Sequence, residues 1–307
     1  MLFSAVKQDN GYNSLAIRAI EAMERDHGVH VRQRVAAEER EVQESIDAFA
    51  ARGVGNIVLL GSTYAEQARR AAARHPRVRF TLLDAAVEAP NVRSVVFREE
   101  EGAYLAGLAA ALTGRGGTVG FLGGMPIPPI HRFGCGFIQG VLAGAPKARV
   151  AVRYASADLD GFRDTAKAAR AASELLEEGA GVVFVASGLA GIAALETVAA
   201  AGRLSVGVDT NQNGTHPGRV LTSVIKRVDV ALRRTVEDGL AGQWRPGVLH
   251  LGLADGAIDW ARDEHNEALV APLAARVEEA RRRIAIGRIR VGAPEDTPAC
   301  AVLTPKS

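Results

Sequence analysis

The sequence predicts two α/β lobes, each built on a parallel sheet, and three observations carry that expectation. Short apolar runs alternate with amphipathic helical stretches almost from end to end. Strands separated by helices pair in parallel through right-handed crossovers. Three strand signatures then recur in the same order at a spacing of about 125 residues, too long for a solenoid repeat and suited to two similar domains. A chain of 307 residues is long enough for two domains of average size.

Taken in order, residues 2–6 read as a strand and residues 14–26 as a helix, with Leu15, Ile17, Ile20 and Met23 near helical spacing. A strand is expected at 29–35, a helix at 42–51, a buried strand at 56–60, a helix at 65–74 and a strand at 78–83. The repeat then becomes visible. "GVGNIVLLGS" from Gly53 resembles "GAGVVFVASG" from Gly179, and "RFTLLD" ending at Asp84 matches "LSVGVD" ending at Asp209. A further strand follows each, at 92–97 and 220–225. Ligands of open parallel sheets bind outside the carboxyl ends of the strands. Asp84 and Asp209 both stand at such ends, so halves facing across a cleft would offer one carboxylate from each side to hydroxyl or N–H groups.

Composition narrows the function. Hydrophobic residues make up 48% and charged residues 23%, an ordinary globular balance, and 37 basic against 35 acidic residues leave a net charge of +2. The basic residues are scattered rather than gathered in a stripe, which argues against nucleic acid as a partner. No stretch reaches the roughly 18 apolar residues of a membrane span. Met1 runs straight into the first strand with no leader, which fits a mature exported form or a cytoplasmic protein. The two cysteines, Cys135 and Cys300, cannot be paired from sequence, and Cys135 in an apolar helix pattern reads as a buried inert thiol.

Catalytic signatures are missing. There is no dinucleotide fingerprint and no phosphate loop, and in "SGLAG" from Ser187 the serine precedes both glycines, unlike a nucleophile elbow. "DEHNE" from Asp263 reads as the acidic first turn of a helix rather than a metal site. No enzyme activity, metal or cofactor is expected.

Six segments in order resemble the basic membrane protein family of substrate-binding proteins, known for the purine nucleoside receptors of bacterial ABC transporters. They are "DNGYN" from Asp9, "FREEEGAYLAG" from Phe97, "GGMPIPPIHRFGCGFIQGV" from Gly123, "VGVDTNQ" from Val206, "TSVIKRVDVAL" from Thr222 and "LGLADGAIDWA" from Leu251. The resemblance implies a type I periplasmic-binding-protein fold, two doubly wound lobes joined by three hinge strands near Phe97, Thr222 and Val248. Lobe 1 would hold residues 1–98 and about 225–248, and lobe 2 residues 99–224 and about 249–292. Residues 293–307 would be a flexible tail.

The same resemblance implies a site. Tyr12, in place of the family phenylalanine, would stack on a base, with Asn13 reading its edge and Asp9 at the same rim; a turn residue and a helix N-cap are the structural alternatives for Asp9 and Asn13. Asp84 would be the ligand carboxylate of lobe 1. Ser187 and Gly188 would line the glycine-rich turn, and Asp209 with Lys226 would hold ribose hydroxyls. Where the family carries a second aromatic this chain has Ala157, leaving Leu159 or Phe162 to cover the opposite face of the base. His131 reads as a loop residue. The implied protein is a monomeric receptor that delivers a nucleoside to a membrane permease by hinge closure, outside the cytoplasm. A cytoplasmic ligand sensor or transcription-associated regulator on the same fold is the alternative, and a nucleoside-cleaving or carbohydrate enzyme with Asp84 and Asp209 as an acid–base pair is a third.

Overall fold

The computed structural model of the chain describes residues 1–4, 7–9, 11–113 and 117–304. Ala5 and Val6 of the expected first strand, and residues 305–307 of the expected tail, lie outside the described residues. The chain divides into two compact units, Met1–Phe97 with Arg227–Leu251, and Arg98–Lys226 with Gly252–Ser307. It passes from one to the other three times, after Phe97, Lys226 and Leu251.

Unit 1 runs β1 (Leu2–Phe3), α1 (Tyr12–His27), β2 (Arg34–Val35), α2 (Glu39–Ala51), β3 (Asn56–Leu60), α3 (Ala65–Arg74), β4 (Arg79–Leu83) and β5 (Val92–Phe97). Unit 2 follows with α4 (Glu99–Thr113), β6 (Val119–Gly123), α5 (Pro128–Gly144), β7 (Val150–Tyr154), α6 (Thr165–Glu177), β8 (Val182–Ala186), α7 (Gly191–Ala200), β9 (Leu204–Asp209) and β10 (Val220–Lys226). The chain then returns to unit 1 for α8 (Val228–Leu240) and β11 (Gly247–Leu251), and ends in unit 2 with β12 (Ile258–Trp260), α9 (Glu267–Val270) and α10 (Ala274–Ala285).

The sheet of unit 1 has the order β11-β5-β4-β3-β1-β2 and that of unit 2 the order β12-β10-β9-β8-β6-β7. In both, the first strand is flanked by the second on one side and the third on the other, so the winding reverses there. β3 and β8 occupy equivalent places, as do β4 and β9, and β5 and β10; these are the segments that echo in the sequence. All pairings are parallel except β10 with β12, which is antiparallel.

Alternation along the strands sorts the core of unit 2 into two layers. Phe121 and Phe184 point to one face, where they meet Phe133 and Phe137 of α5, with Phe184 edge-on to Phe121 at 5.5 Å and to Phe133 at 5.8 Å. Leu122, Val183 and Val185 point to the other, against Ala168, Leu175 and Leu195 of α6 and α7. Helices α4 and α5 approach closely because α5 carries glycines four residues apart. A Cβ on Gly136 would stand 2.1 Å from the Glu100 carbonyl oxygen, and one on Gly140 2.0 Å from that of Tyr104. In unit 1, Leu2, Ile57, Leu59, Phe80 and Leu82 pack with Ile46 and Phe49 of α2.

Three expectations need correction. The strand expected at 29–35 shrinks to Arg34–Val35, paired with β1 alone; its alternation of apolar and polar residues is strand-like, but it lies at the sheet edge. Cys135 is not an inert thiol, because it forms a disulfide with Cys300. The supposed flexible tail is instead folded through residue 303: Pro294–Asp296 and Pro298–Leu303 form 3-10 turns, and Leu303 is buried. Its carbonyl accepts a 2.9 Å hydrogen bond from the Tyr154 hydroxyl, and its side chain packs over Gly134. Among the described residues no helix is long and apolar enough to cross a membrane.

Candidate functional site

Among the described residues, only two other than glycine adopt positive φ: Asp84 at 74° and Asp209 at 65°. Both terminate equivalent strands, β4 and β9. The left-handed region costs an L-residue roughly 1 kcal/mol or more, and aspartate is one of the few side chains that visit it. At Asp209 the turn is closed by the Thr210 N–H donating to the Val208 carbonyl at 2.7 Å, a tight three-residue turn of the strained kind. Backbone strain of this kind clusters at functional sites, and here it fixes where each carboxylate leaves the backbone. Asp84 is buried and Asp209 half-buried.

The winding of unit 1 reverses between β1 and β3, and the segment after β1 carries Asp9, Tyr12 and Asn13. Asp9 is fully engaged with the backbone. Its Oδ1 accepts from the N–H groups of Gly11 (2.9 Å) and Ser14 (3.0 Å), and its Oδ2 from that of Asn13 (2.9 Å). The Asp9 N–H donates in return to the Ser14 hydroxyl at 3.0 Å. This reciprocal arrangement satisfies the orphan amides at the start of α1. Asp9 therefore does the capping, and Asn13, buried within the first turn, does not. Tyr12 opens the helix half-buried.

Unit 2 reverses between β6 and β8, and the equivalent position is filled by the 3-10 turn Leu159–Phe162. A Cβ on Gly161 would stand 1.9 Å from the Gly124 carbonyl oxygen, so only glycine allows this turn to lie on the end of β6. The Phe162 ring lies over Gly124 and against Gly188, which itself has φ 53°. Of the three candidates for a second stacking side, Phe162 thus reaches the strand ends, Leu159 is half-buried on the same turn, and Ala157 is exposed and has no π face. Ser187 needs correction as a ligand residue: it is wholly buried, and its hydroxyl donates to the Gly161 carbonyl at 2.6 Å, pinning the turn that carries Phe162.

Asp209 pairs in register with Ile225, so Lys226 ends the neighbouring strand one residue further on. Lys226 is buried, and its ammonium donates to Glu99 Oε1 at 2.8 Å while lying 5.9 Å from the Phe133 ring centre. Glu99 Oε2 accepts from Arg132 Nε at 2.6 Å. Burial pushes the Glu99 carboxyl up, but the charges and hydrogen bonds of Lys226 and Arg132 outweigh it and hold the group below the usual range. Its neighbour Glu100 has no such partner. Its Oε2 is buried without a hydrogen bond, and burial, reinforced by the Glu99 charge, pushes its carboxyl up to about 8. Glu101, in turn, accepts from the Leu253 N–H at 2.8 Å.

Sequence reasoning missed this glutamate run, which looks like an ordinary acidic first turn. The signal was the rest of α4, apolar and small on every side, which requires its first turn to be enclosed too. Asp263 was missed as well: its carboxylate accepts from the side chains of Asn211 (2.5 Å) and Asn213 (3.1 Å) and from the His265 N–H (2.8 Å), anchoring the loop beyond Asp209. No cluster suited to a metal occurs among the described residues. His131 is half-buried beside Tyr154, and burial holds its imidazole below the usual range.

Two units of one topology, crossed three times by the chain and each ending a matching strand in a left-handed aspartate, define the type I periplasmic-binding-protein fold. The chain belongs to the family described as ABC transporter substrate-binding protein PnrA-like, whose model matches residues 1–295. It is 29% identical over 272 residues to basic membrane protein B of Borrelia garinii, covering 84% of this chain and 79% of that one. It is 26% identical over 264 residues to an uncharacterized lipoprotein of Pyrococcus furiosus, covering 82% and 66% respectively. An ABC transporter solute-binding protein of Aeropyrum pernix superposes with a TM-score of 0.83 at 26% identity, covering 96% of this chain and 93% of that one. The chain is accordingly a solute-binding protein of the ABC transporter class, a family of binding proteins rather than of enzymes.

Proposed function

We propose that the solute is a purine nucleoside, bound outside the cytoplasm and passed to a membrane permease. The observation that carries this reading is the pair of left-handed corners at Asp84 and Asp209, each accompanied in its own unit by an aromatic residue at the reversal of winding, Tyr12 and Phe162. A carboxylate accepts two adjacent hydroxyls with charge-assisted hydrogen bonds, which suits a ribose. Flat rings suit a base. In this reading Asp209 and Lys226 hold the sugar, Tyr12 and Phe162 stack on the base, Asn13 and Asp84 read its edge, and differential affinity for a closed form drives hinge closure. Gly188 leaves room for Phe162, and Asp9 acts by fixing the start of α1. The Cys135–Cys300 disulfide supports an oxidising compartment and weighs against a cytoplasmic sensor.

Calorimetry of the purified protein against adenosine, guanosine, inosine, a pyrimidine nucleoside and free ribose tests the proposal. Binding confined to purine nucleosides, weakened at least tenfold by Asp209→Ala, is the expected result. Binding of ribose alone, or wild-type affinity in Asp209→Ala, would overturn it.

A further inference from the structure

We infer that Glu99 and Arg132 are positioning residues that set the Lys226 ammonium for its contact with the solute; the inference rests on the ligand role proposed above for Lys226. Lys226 ends β10 beside the Asp209 corner, and lysine is a flexible point charge with three donors that nothing in its own stem directs. Here it is directed from behind. Glu99, with no exposed surface, takes one ammonium hydrogen at 2.8 Å, and its other oxygen is held by Arg132 at 2.6 Å. Glu99 of α4 and Phe133 of α5 lie against the ammonium, Arg132 of α5 holds Glu99 from behind, and Ile258 of β12 is the register neighbour of Lys226.

The charge balance gives this arrangement a purpose. One carboxylate, Glu99, bridges two cations, Lys226 and Arg132. A lone buried lysine would lose its proton to avoid desolvation. Glu99 beside it favours the charged form of Lys226, and Lys226 and Arg132 together hold Glu99 as a carboxylate. The site therefore keeps a cationic donor at the end of β10, the strand beside the Asp209 corner. Such a donor favours a solute presenting hydroxyl or carbonyl oxygens over one presenting a cation at that point.

A double-mutant cycle between Glu99→Gln and Lys226→Met, read by calorimetry with the tightest-binding purine nucleoside, tests this. Glu99→Gln should weaken binding at least tenfold in the wild-type background and change it less than twofold in the Lys226→Met background. An equal loss in both backgrounds, or wild-type affinity in folded Glu99→Gln, overturns the inference. Should Glu99→Gln fail to fold, Glu99→Gln/Arg132→Gln keeps the net charge of the cluster, and the same tenfold loss is required of it. A ligand-free measurement separates this inference from the nucleoside reading. In protein carrying ¹⁵N-labelled lysine, the Lys226 ammonium should titrate at lower pH in Glu99→Gln than in wild type. An unchanged titration overturns the positioning role even if no nucleoside binds; a lowered one sustains it and leaves only the solute to be found.

Discussion

Units 1 and 2 share a strand order and a left-handed aspartate at the same corner, yet they are reinforced differently. In unit 2 the strand beside the Asp209 corner ends in Lys226 of the Glu99–Arg132–Lys226 group, α4 is pressed onto α5 through Gly136 and Gly140, and a disulfide ties α5 to the C-terminal segment. In unit 1 the edge strand β2 and its neighbour β1 are two residues each. Its strongest polar anchors are Arg93, which donates to Asp238 (2.6 Å) and to the Arg245 carbonyl (3.0 Å), and Asn91, which donates to three carbonyls. A cavity of about 730 Å³, lined by Met23, Phe49, Val58, Leu232 and Trp244 among others, opens at the N-terminal ends of its strands. A repeated topology thus fixes where the two corner carboxylates stand without fixing how firmly each unit is reinforced around them. Unit 2 combines rigidity with buried charge, and that makes its stability more sensitive to pH and to added volume.

The largest expected effect exploits the buried charge. Glu100 keeps its proton in the folded state up to about 8, against an ordinary value of 4.5. Between those values the folded protein binds more protons than the unfolded chain, so stability falls as pH rises through the window, and the loss is complete above pH 8. The shift corresponds to an upper bound on the order of 5 kcal/mol. Glu99 works the other way and costs stability only as pH falls through its lowered value. Urea unfolding of Glu100→Gln at pH 5.5 and pH 9 should show a large gain over wild type at pH 9 and a much smaller one at pH 5.5. Parallel pH profiles for the two proteins would remove the buried acid from the contrast between units.

The residues behind this contrast were unevenly legible in the sequence. Strands at 56–60 and 92–97 and the helix at 65–74 match the structure because glycine, proline and asparagine punctuate short apolar runs. The corners at Asp84 and Asp209 were visible through the repeat, although their backbone strain was not. Long-range chemistry was hidden. Cys135 and Cys300 are separated by 165 residues, and nothing local records their pairing. Ser187 looked ligand-facing because it lies in a glycine-rich turn, whereas its hydroxyl serves a turn 26 residues earlier. Phe162 could be named as a candidate but not chosen, since Gly124 and Gly188, which make room for it, lie on two other loops.

Added volume gives the next effect. Gly136→Ala places a Cβ 2.1 Å from the Glu100 carbonyl oxygen and 2.5 Å from its Cα, and backbone cannot yield as a side chain would. A loss of about 3 kcal/mol is expected, typical of forced overpacking. The matching change in unit 1 is Gly239→Ala in α8, where a Cβ would meet nothing within 4 Å. It should stabilise by up to about 1 kcal/mol, because alanine loses less entropy in a helix. Chemical denaturation of both variants measures the difference, and equal effects would show that the close helix contact is not specific to unit 2.

The smallest effect compares helix starts. Asp9 caps α1 of unit 1 with three backbone hydrogen bonds, and Asp164 caps α6 of unit 2 with one, from the Lys167 N–H at 3.0 Å. Asp9→Ala should cost about 2 kcal/mol and Asp164→Ala about 1 kcal/mol. The informative quantity is how Asp9→Ala divides its effect between stability and affinity. As a cap, Asp9 holds Tyr12 and Asn13 through the first turn of α1, so its loss lowers stability and weakens solute binding together, and Asp9→Asn recovers part of both. A direct contact with the solute would instead lower affinity while leaving the unfolding midpoint near that of wild type. The geometry favours the cap, since both carboxylate oxygens already accept from the backbone of the helix they start.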